Sequence, residues 1–363
     1  MIAAYVTGHG YGHATRTAEV LRAVREQDPG VPLAVVSSAP ESLFREAVGG
    51  SLLYRRQACD VGLAQQGALV IDEAATRERW RAFEEGRPAL VAAEAAWLRG
   101  AGARVVLGDI PPLAFEAAAG AGVPGVGLGN FSWDWIYAHL AKRAEGFREP
   151  AERAAAAYAR AHLLLELPFA GDLSAFPRRE RIPFVARPSR RARPEARRLL
   201  GFPPRPVALV TFGGMGLPGF SARVLGGLDR FGFALETEER DLPSNVRGFR
   251  PGELRSLGLT YRDVIGAADS VVTKPGYGIV SDCVAAGTRI VYTDRGDFPE
   301  YEVMVAEMGR YVPCVYVSND EVRTGRLGDA LEAVLAAPLP PPPRLDGAAV
   351  AARRLLEVEA GGG

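Results

Sequence analysis

The chain is poor in cysteine, with only Cys59, Cys283 and Cys314 in 363 residues, and their odd number and scattered spacing exclude a disulfide framework and a zinc pattern. They read as reduced thiols. Net charge is also missing: 43 lysines and arginines balance 43 aspartates and glutamates, so no global field points to nucleic acid or to an anionic membrane surface. No apolar run approaches the roughly 20 residues of a membrane span. The N-terminus is apolar only as far as Val6, which argues against a signal peptide and for a cytoplasmic protein. Gly-Lys-Ser/Thr is absent, excluding a P-loop, and so is an isolated Asp-x-Asp. Neither a metal nor a resident cofactor is therefore expected.

What is present suggests two α/β domains, since 363 residues exceed the usual size of one core. Apolar runs of strand length at Ile2 to Val6, Leu33 to Ser37, Val105 to Leu107 and Val123 to Leu128 alternate with helical spacing at Thr17 to Arg25, Ala89 to Leu98 and Leu113 to Ala119. Such alternation implies parallel strands joined by crossover helices. Residues 186–206 turn to arginine and proline, with Arg187, Arg190, Arg191, Arg193, Arg197, Arg198 and Arg205. Without interleaved aromatics this reads as a solvated linker rather than a phosphate patch. Beyond it the alternation restarts at Val207 to Thr211, continuing with a helix from Ser221 to Leu228, a strand from Ser270 to Thr273, a helix from Ile279 to Ala286 and a strand from Arg289 to Tyr292. The expected domains are 1–185 and 207–338, with a proline-rich segment and final helix in 339–363.

The stretch from Tyr5 to Arg16 places Gly8, Gly10 and Gly12 with His9 and His13 where the first strand meets the first helix. In open α/β sheets ligands bind outside that edge. A dinucleotide reading fails, because the third glycine comes one position early and the second strand ends in Ser37 and Ser38 rather than in an acid for ribose. Phosphate chemistry fits the second half better. There Lys274, Pro275, Gly276, Tyr277 and Gly278 follow a strand, and Asp282 stands about one turn into the next helix. Glycines at a helix entrance expose N–H groups to a diphosphate, and a carboxylate one turn on can accept ribose hydroxyls. Gly213 and Gly214 form a second glycine loop after the strand ending at Thr211, and Asp297 and Glu300 bring carboxylates for sugar hydroxyls to the same edge.

In order of elements the chain resembles the GT-B glycosyltransferases, two Rossmann-like domains facing across a cleft. Its opening motif from Val6 to Arg16, the run from Asn130 to Tyr137 and the turn from Lys274 to Gly278 resemble the glycosyltransferase-like N-terminal region of plant arabinokinases and their stand-alone bacterial relatives. More distantly it resembles the peptidoglycan N-acetylglucosaminyltransferase group, in which the acid matching Asp282 binds ribose. With no sugar-kinase domain expected after the glycosyltransferase-like region, arabinose phosphorylation is not an expected activity. The resemblance implies a nucleoside-diphosphate sugar bound by the second domain and a small-molecule or glycan acceptor held by the first.

Inverting transfer needs a base for the acceptor hydroxyl, and histidine suits that at neutral pH. His13 is the candidate base and Asp109 its orienting acid, with His9 as an alternative base. Gly10, Tyr11, Gly12, Arg16, Asn130, Trp133 and Asp134 are the acceptor-side candidates. Arg16 shares a helix face with His13 and would hold a phosphate or acidic acceptor, or pair with a core-edge acid. Phe131, Trp133, Trp135 and Tyr137 would form a stacking platform if that run stays extended, or pack in the interdomain core. Lys274 would neutralise diphosphate charge. The competing classes are a nucleotide-sugar sensor without transfer and a GT-B epimerase or hydrolase of the nucleotide sugar.

Overall fold

The computed structural model describes residues 1–66, 70–213, 216–250 and 252–361. The first half runs β1 (Ile2–Val6), α1 (Tyr11–Gln27), β2 (Leu33–Ser37), α2 (Glu41–Val48), β3 (Leu53–Arg56), β4 (Gln65–Gln66), β5 (Val70–Ile71) and α3 (Glu73–Gly100). It continues with β6 (Val105–Asp109), α4 (Pro112–Ala121), β7 (Gly125–Gly129), α5 (Trp133–Leu140), α6 (Arg148–Tyr158), β8 (Leu163–Glu166) and β9 (Arg179–Arg181). Among the described residues these strands make a seven-stranded parallel sheet in the order β3-β2-β1-β6-β7-β8-β9, with β4 and β5 pairing separately. Every residue of β1, β2, β6 and β7 is buried. Burial on both faces explains why these strands read as continuous apolar runs.

The second half holds α7 (Arg193–Leu200), β10 (Val207–Thr211), a 3-10 turn at Ala222–Gly227, β11 (Gly232–Glu236), β12 (Val246–Phe249), α8 (Glu253–Ser256), α9 (Tyr261–Ala267) and β13 (Ser270–Thr273). Then come α10 (Tyr277–Ala286), β14 (Arg289–Tyr292), α11 (Pro299–Met308), β15 (Cys314–Tyr316), α12 (Asn319–Thr324), α13 (Gly328–Ala336) and α14 (Gly347–Gly361). A six-stranded parallel sheet results, ordered β12-β11-β10-β13-β14-β15. Both sheets are doubly wound. No helix among the described residues is long and apolar enough to cross a membrane.

Among the segments that differ from the sequence expectation, three bear on the site. Helix α1 begins at Tyr11, six residues before the apolar periodicity does, because Gly10 adopts φ 85° as the N-cap and the first turn exposes Tyr11 and Gly12, burying only Ala14. The aromatic run is helical rather than extended: Trp133, Ile136, Tyr137 and Leu140 form the buried face of α5, a spacing of three and four that alternation of aromatics disguised. Residues 186–206 are not a bare solvated linker. They contain α7, started by Pro194, and their arginines are engaged: Arg187 with Asp282, and Arg193 and Arg197 with Asp269.

The last helix returns to the first sheet. Along α14, Ala348, Val350, Ala351, Ala352 and Leu355 are buried, in one hydrophobic cluster with Val20, Leu21 and Val24 of α1.

Candidate active site

The first crevice opens where the strand order reverses between β1 and β6. Helix α1 packs on the sheet face carrying Ile2, Ala4 and Val6, whereas α4 packs on the face carrying Ala3 and Tyr5. The space left at the carboxyl edge is the ligand position of a doubly wound sheet. Asp109, paired in register with Val6, ends β6 at that edge and is fully buried. It is met by one face of α1, whose residues 13, 16 and 17 follow helical neighbour spacing. His13 Nδ1 lies 2.8 Å from Asp109 Oδ1, Arg16 Nε donates to Oδ2 at 2.8 Å, Arg16 Nη2 donates to Oδ1, and Thr17 Oγ1 donates to Oδ2 at 2.6 Å. Burial alone would raise the Asp109 carboxyl, but Arg16 and His13 outweigh it and hold the group well below the usual carboxylate range.

That geometry fixes the useful tautomer. With Nδ1–H donated to a permanent carboxylate, neutral His13 keeps Nε2 as its acceptor. The imidazole is 15% exposed and stands edge-on to Phe131, with ring centroids 5.5 Å apart. His9 forms a second, looser pair with Asp60, Nε2 to Oδ1 at 3.4 Å. Burial lowers its proton affinity most, yet Asp60 more than compensates and the net shift is upward. Asp60 also accepts from Thr7 Oγ1 at 2.8 Å and from Trp133 Nε1 at 2.9 Å, so it ties the opening loop to α5.

From the first crevice a chain of hydrogen bonds crosses to the second half. Arg16 Nη1 donates to Asn130 Oδ1 at 3.1 Å, Asn130 Nδ2 donates to Glu300 Oε1 at 2.6 Å, and Arg295 Nη1 donates to Glu300 Oε2 at 2.7 Å. The Arg16 guanidinium also lies 5.3 Å from the centre of the Tyr277 ring. Tyr277 is buried, which pushes its hydroxyl pKa up, and its oxygen accepts the Val185 N–H at 3.2 Å. The entrances of α1 and α10 approach closely here: a Cβ on Gly278 would stand 3.6 Å from Gly12 Cα. Tyr11, beside that approach, is 63% exposed.

The second crevice lies at the other reversal, between β10 and β13. Gly276 caps α10 without a side chain over the free N–H groups, which leaves them open to an anion. Lys274 precedes it; burial, with Arg295 adding repulsion, lowers its pKa to about 8. Arg295 also donates to the Pro275 carbonyl at 3.1 Å. Gly213, at φ 71°, is exposed after β10, and Gly214 lies outside the described residues.

The other sequence candidates are placed elsewhere. Asp282 is buried and bound by Arg187; burial raises its carboxyl while Arg187 opposes. It is thus partnered within the protein by a residue of the 186–206 segment. Asp297 joins His139 Nε2 at 2.7 Å and Arg143 of the first half, an interdomain tie. Asp134 stands in the first turn of α5 with Oδ1 buried and without a hydrogen-bond partner, its carboxyl raised by burial. Trp133 is buried beneath Phe131 and stacks on Tyr137 with centroids 5.8 Å apart, so it walls the crevice instead of offering an open face. Arg16 takes the core-edge acid, leaving no free fork for a phosphate. Sequence reasoning missed Asp60, Thr17 and the role of Arg295. Only Thr17 carried a signal, since it shares the helix face of His13.

Two facing doubly wound sheets with these crevices form the GT-B glycosyltransferase fold. Over 100% of its length the chain matches the crystal structure of the kitacinnamycin glycosyltransferase, covering 95% of that chain with a TM-score of 0.62 at 18% identity. A UDP-glucosyltransferase from Polygonum tinctorium, capable of glucosylating indoxyl, matches over 99% of this chain and 93% of its own with a TM-score of 0.61 at 14% identity. In sequence, 330 residues are 31% identical to the L-arabinokinase of Arabidopsis thaliana, a match over 86% of this chain that spans 30% of that protein. No family model matches the chain.

Proposed function

We propose that the protein transfers a sugar from a nucleoside-diphosphate sugar to a hydroxyl-bearing small molecule or glycan, with inversion and without a metal. The observation that carries this reading is the His13–Asp109 pair in one crevice, close to the glycine entrance of α10 in the other. His13 Nε2 takes the acceptor proton as the acceptor oxygen attacks the anomeric carbon; the bond from that carbon to the diphosphate breaks, and the nucleoside diphosphate leaves with the electron pair. Asp109 holds the imidazole and stabilises its charged form. The N–H groups at Gly276, Tyr277 and Gly278, together with Lys274 and Arg295, offset the leaving charge. The named activities of the structural neighbours support the donor class. Glu300, paired with Arg295, is the acid offered to the donor sugar, whereas Asp297 is engaged by His139 and Arg143.

The test is a panel of uridine, thymidine and guanosine diphosphate sugars, read by thermal shift and by release of free nucleotide with and without acceptors. A shift with at least one donor and acceptor-dependent release are expected. No shift with any donor would overturn the donor site, and binding without release would overturn transfer in favour of a sensor.

A further inference from the structure

We infer that Arg16 is a positioning residue that sets the proton affinity of His13 and joins the base to the donor-binding half of the molecule. The inference rests on the proposed role of His13 but concerns a different residue and has its own readout. A lone carboxylate beside an imidazole holds the ring and favours its protonated form. Here the carboxylate is already shared. Arg16 occupies both oxygens of Asp109, and its Nη2 stands 3.0 Å from His13 Nδ1 at the oxygen the two have in common. Both cannot donate to one another, so the contact is a packing of two donors around one acceptor.

The electrostatic consequence follows from sign. A permanent guanidinium between the imidazole and the second domain opposes a further positive charge on the ring and partly neutralises the carboxylate that would stabilise it. Without Arg16, the Asp109 charge would act on the ring unopposed and favour its charged form more strongly. Among the described residues, the charged groups in contact with His13 are Asp109 from β6 and Arg16 from its own helix; Glu300 of α11 and Tyr277 of α10 act on Arg16. Phe131 supplies only a ring edge, and Asn130 only a neutral amide.

Geometry adds the second part. Arg16 is 6% exposed on its side chain and cannot leave Asp109 without breaking its bond to Asn130, which is itself held by Glu300. Any movement of the second half that carries Glu300 therefore pulls on the group that aligns the base.

Two variants separate charge from shape. Titration of the His13 ring by NMR, in the substrate-free protein with its four histidines assigned, requires no knowledge of the donor. In Arg16→Gln the His13 midpoint rises by at least about one pH unit, and the acid limb of kcat/KM moves up with it. In Arg16→Lys the charge remains, so the midpoint stays near that of the wild type, but loss of the two-pronged grip lowers kcat by at least about tenfold with donor KM within about twofold. An unmoved midpoint in folded Arg16→Gln overturns the inference. If that variant does not fold, unchanged kcat in Arg16→Lys does so. His13→Ala is the control: undiminished turnover there removes the base reading itself, a failure distinct from an unshifted titration in the Arg16 variant.

Discussion

At the edge of the first sheet, the crevice between β1 and β6 receives a histidine, an arginine and a carboxylate that satisfy one another, and little there is left uncompensated. At the edge of the second, the crevice between β10 and β13 receives Lys274 beside Arg295 and a helix entrance capped by glycine. Topology makes the two alike, since each lies where a parallel sheet reverses its winding. Side chains make them different. One holds an imidazole against a buried carboxylate; the other brings Lys274 beside Arg295, itself paired with Glu300, at a helix entrance that on the proposed reading meets an anion. A fold of this kind predicts two ligand positions, but only the charges within them say which reactant belongs to each.

The difference can be broken most severely at Asp109. Asp109→Ala leaves Arg16 buried with its principal counter-charge gone, and loss of one partner of a buried pair costs about 3–5 kcal/mol. Thermal and denaturant unfolding should show that loss directly. Because the folded pKa of Asp109 is depressed, its contribution is complete at neutral pH and is lost as pH falls through that folded value. The wild-type advantage over the variant should accordingly shrink only in strong acid.

The second crevice should respond in affinity instead. Lys274→Met is expected to weaken binding of the donor or of free nucleoside diphosphate by about 10- to 100-fold, the range for losing a charge-assisted contact. Isothermal calorimetry checks this. For the same reason, donor binding by the wild type should decline as pH rises through about 8, where Lys274 loses its proton; the decline reaches at most about tenfold per unit and disappears in Lys274→Met. Stability moves the other way: the unfolded lysine keeps its proton to higher pH, so between about 8 and the ordinary lysine value of 10.5 this group makes folding more favourable as pH increases.

The smallest effect belongs to the place where the two helix entrances meet. A Cβ on Gly278 would make ordinary contact with Gly12 Cα at 3.6 Å, so Gly278→Ala should change unfolding free energy by less than about 1 kcal/mol. Gly278→Val should widen the approach and reduce turnover more than stability. Equal effects of the two substitutions would mean that the entrances do not need to meet.

Much of this plan was legible in the chain. The apolar runs of β1, β2, β10, β13 and β14 mark the buried parallel strands because both of their faces are covered. His13 and Asp109 stood out as an edge histidine and a strand-end acid. The chain of contacts from Arg16 through Asn130 to Glu300 was not legible, since it joins residues 16, 130 and 300 and no local spacing encodes such a meeting. The partner of Asp282 was not legible for a related reason. The position of that acid on α10 suited a ribose, but its partner Arg187 comes from a segment whose composition reads as solvated. The aromatic run misled by mixing two periods: alternating rings at 131, 133, 135 and 137 hide the helical set Trp133, Ile136, Tyr137 and Leu140.

The central claim is that the first crevice performs the proton transfer while the second holds the donor. Its most direct test is His13→Ala, followed in parallel by donor affinity and by single-turnover sugar transfer. The account predicts a donor Kd within about twofold of the wild type and a transfer rate lower by about 10²–10⁴-fold, the usual worth of a positioned base. Transfer at the wild-type rate, or donor affinity lost together with transfer in a folded variant, would contradict it.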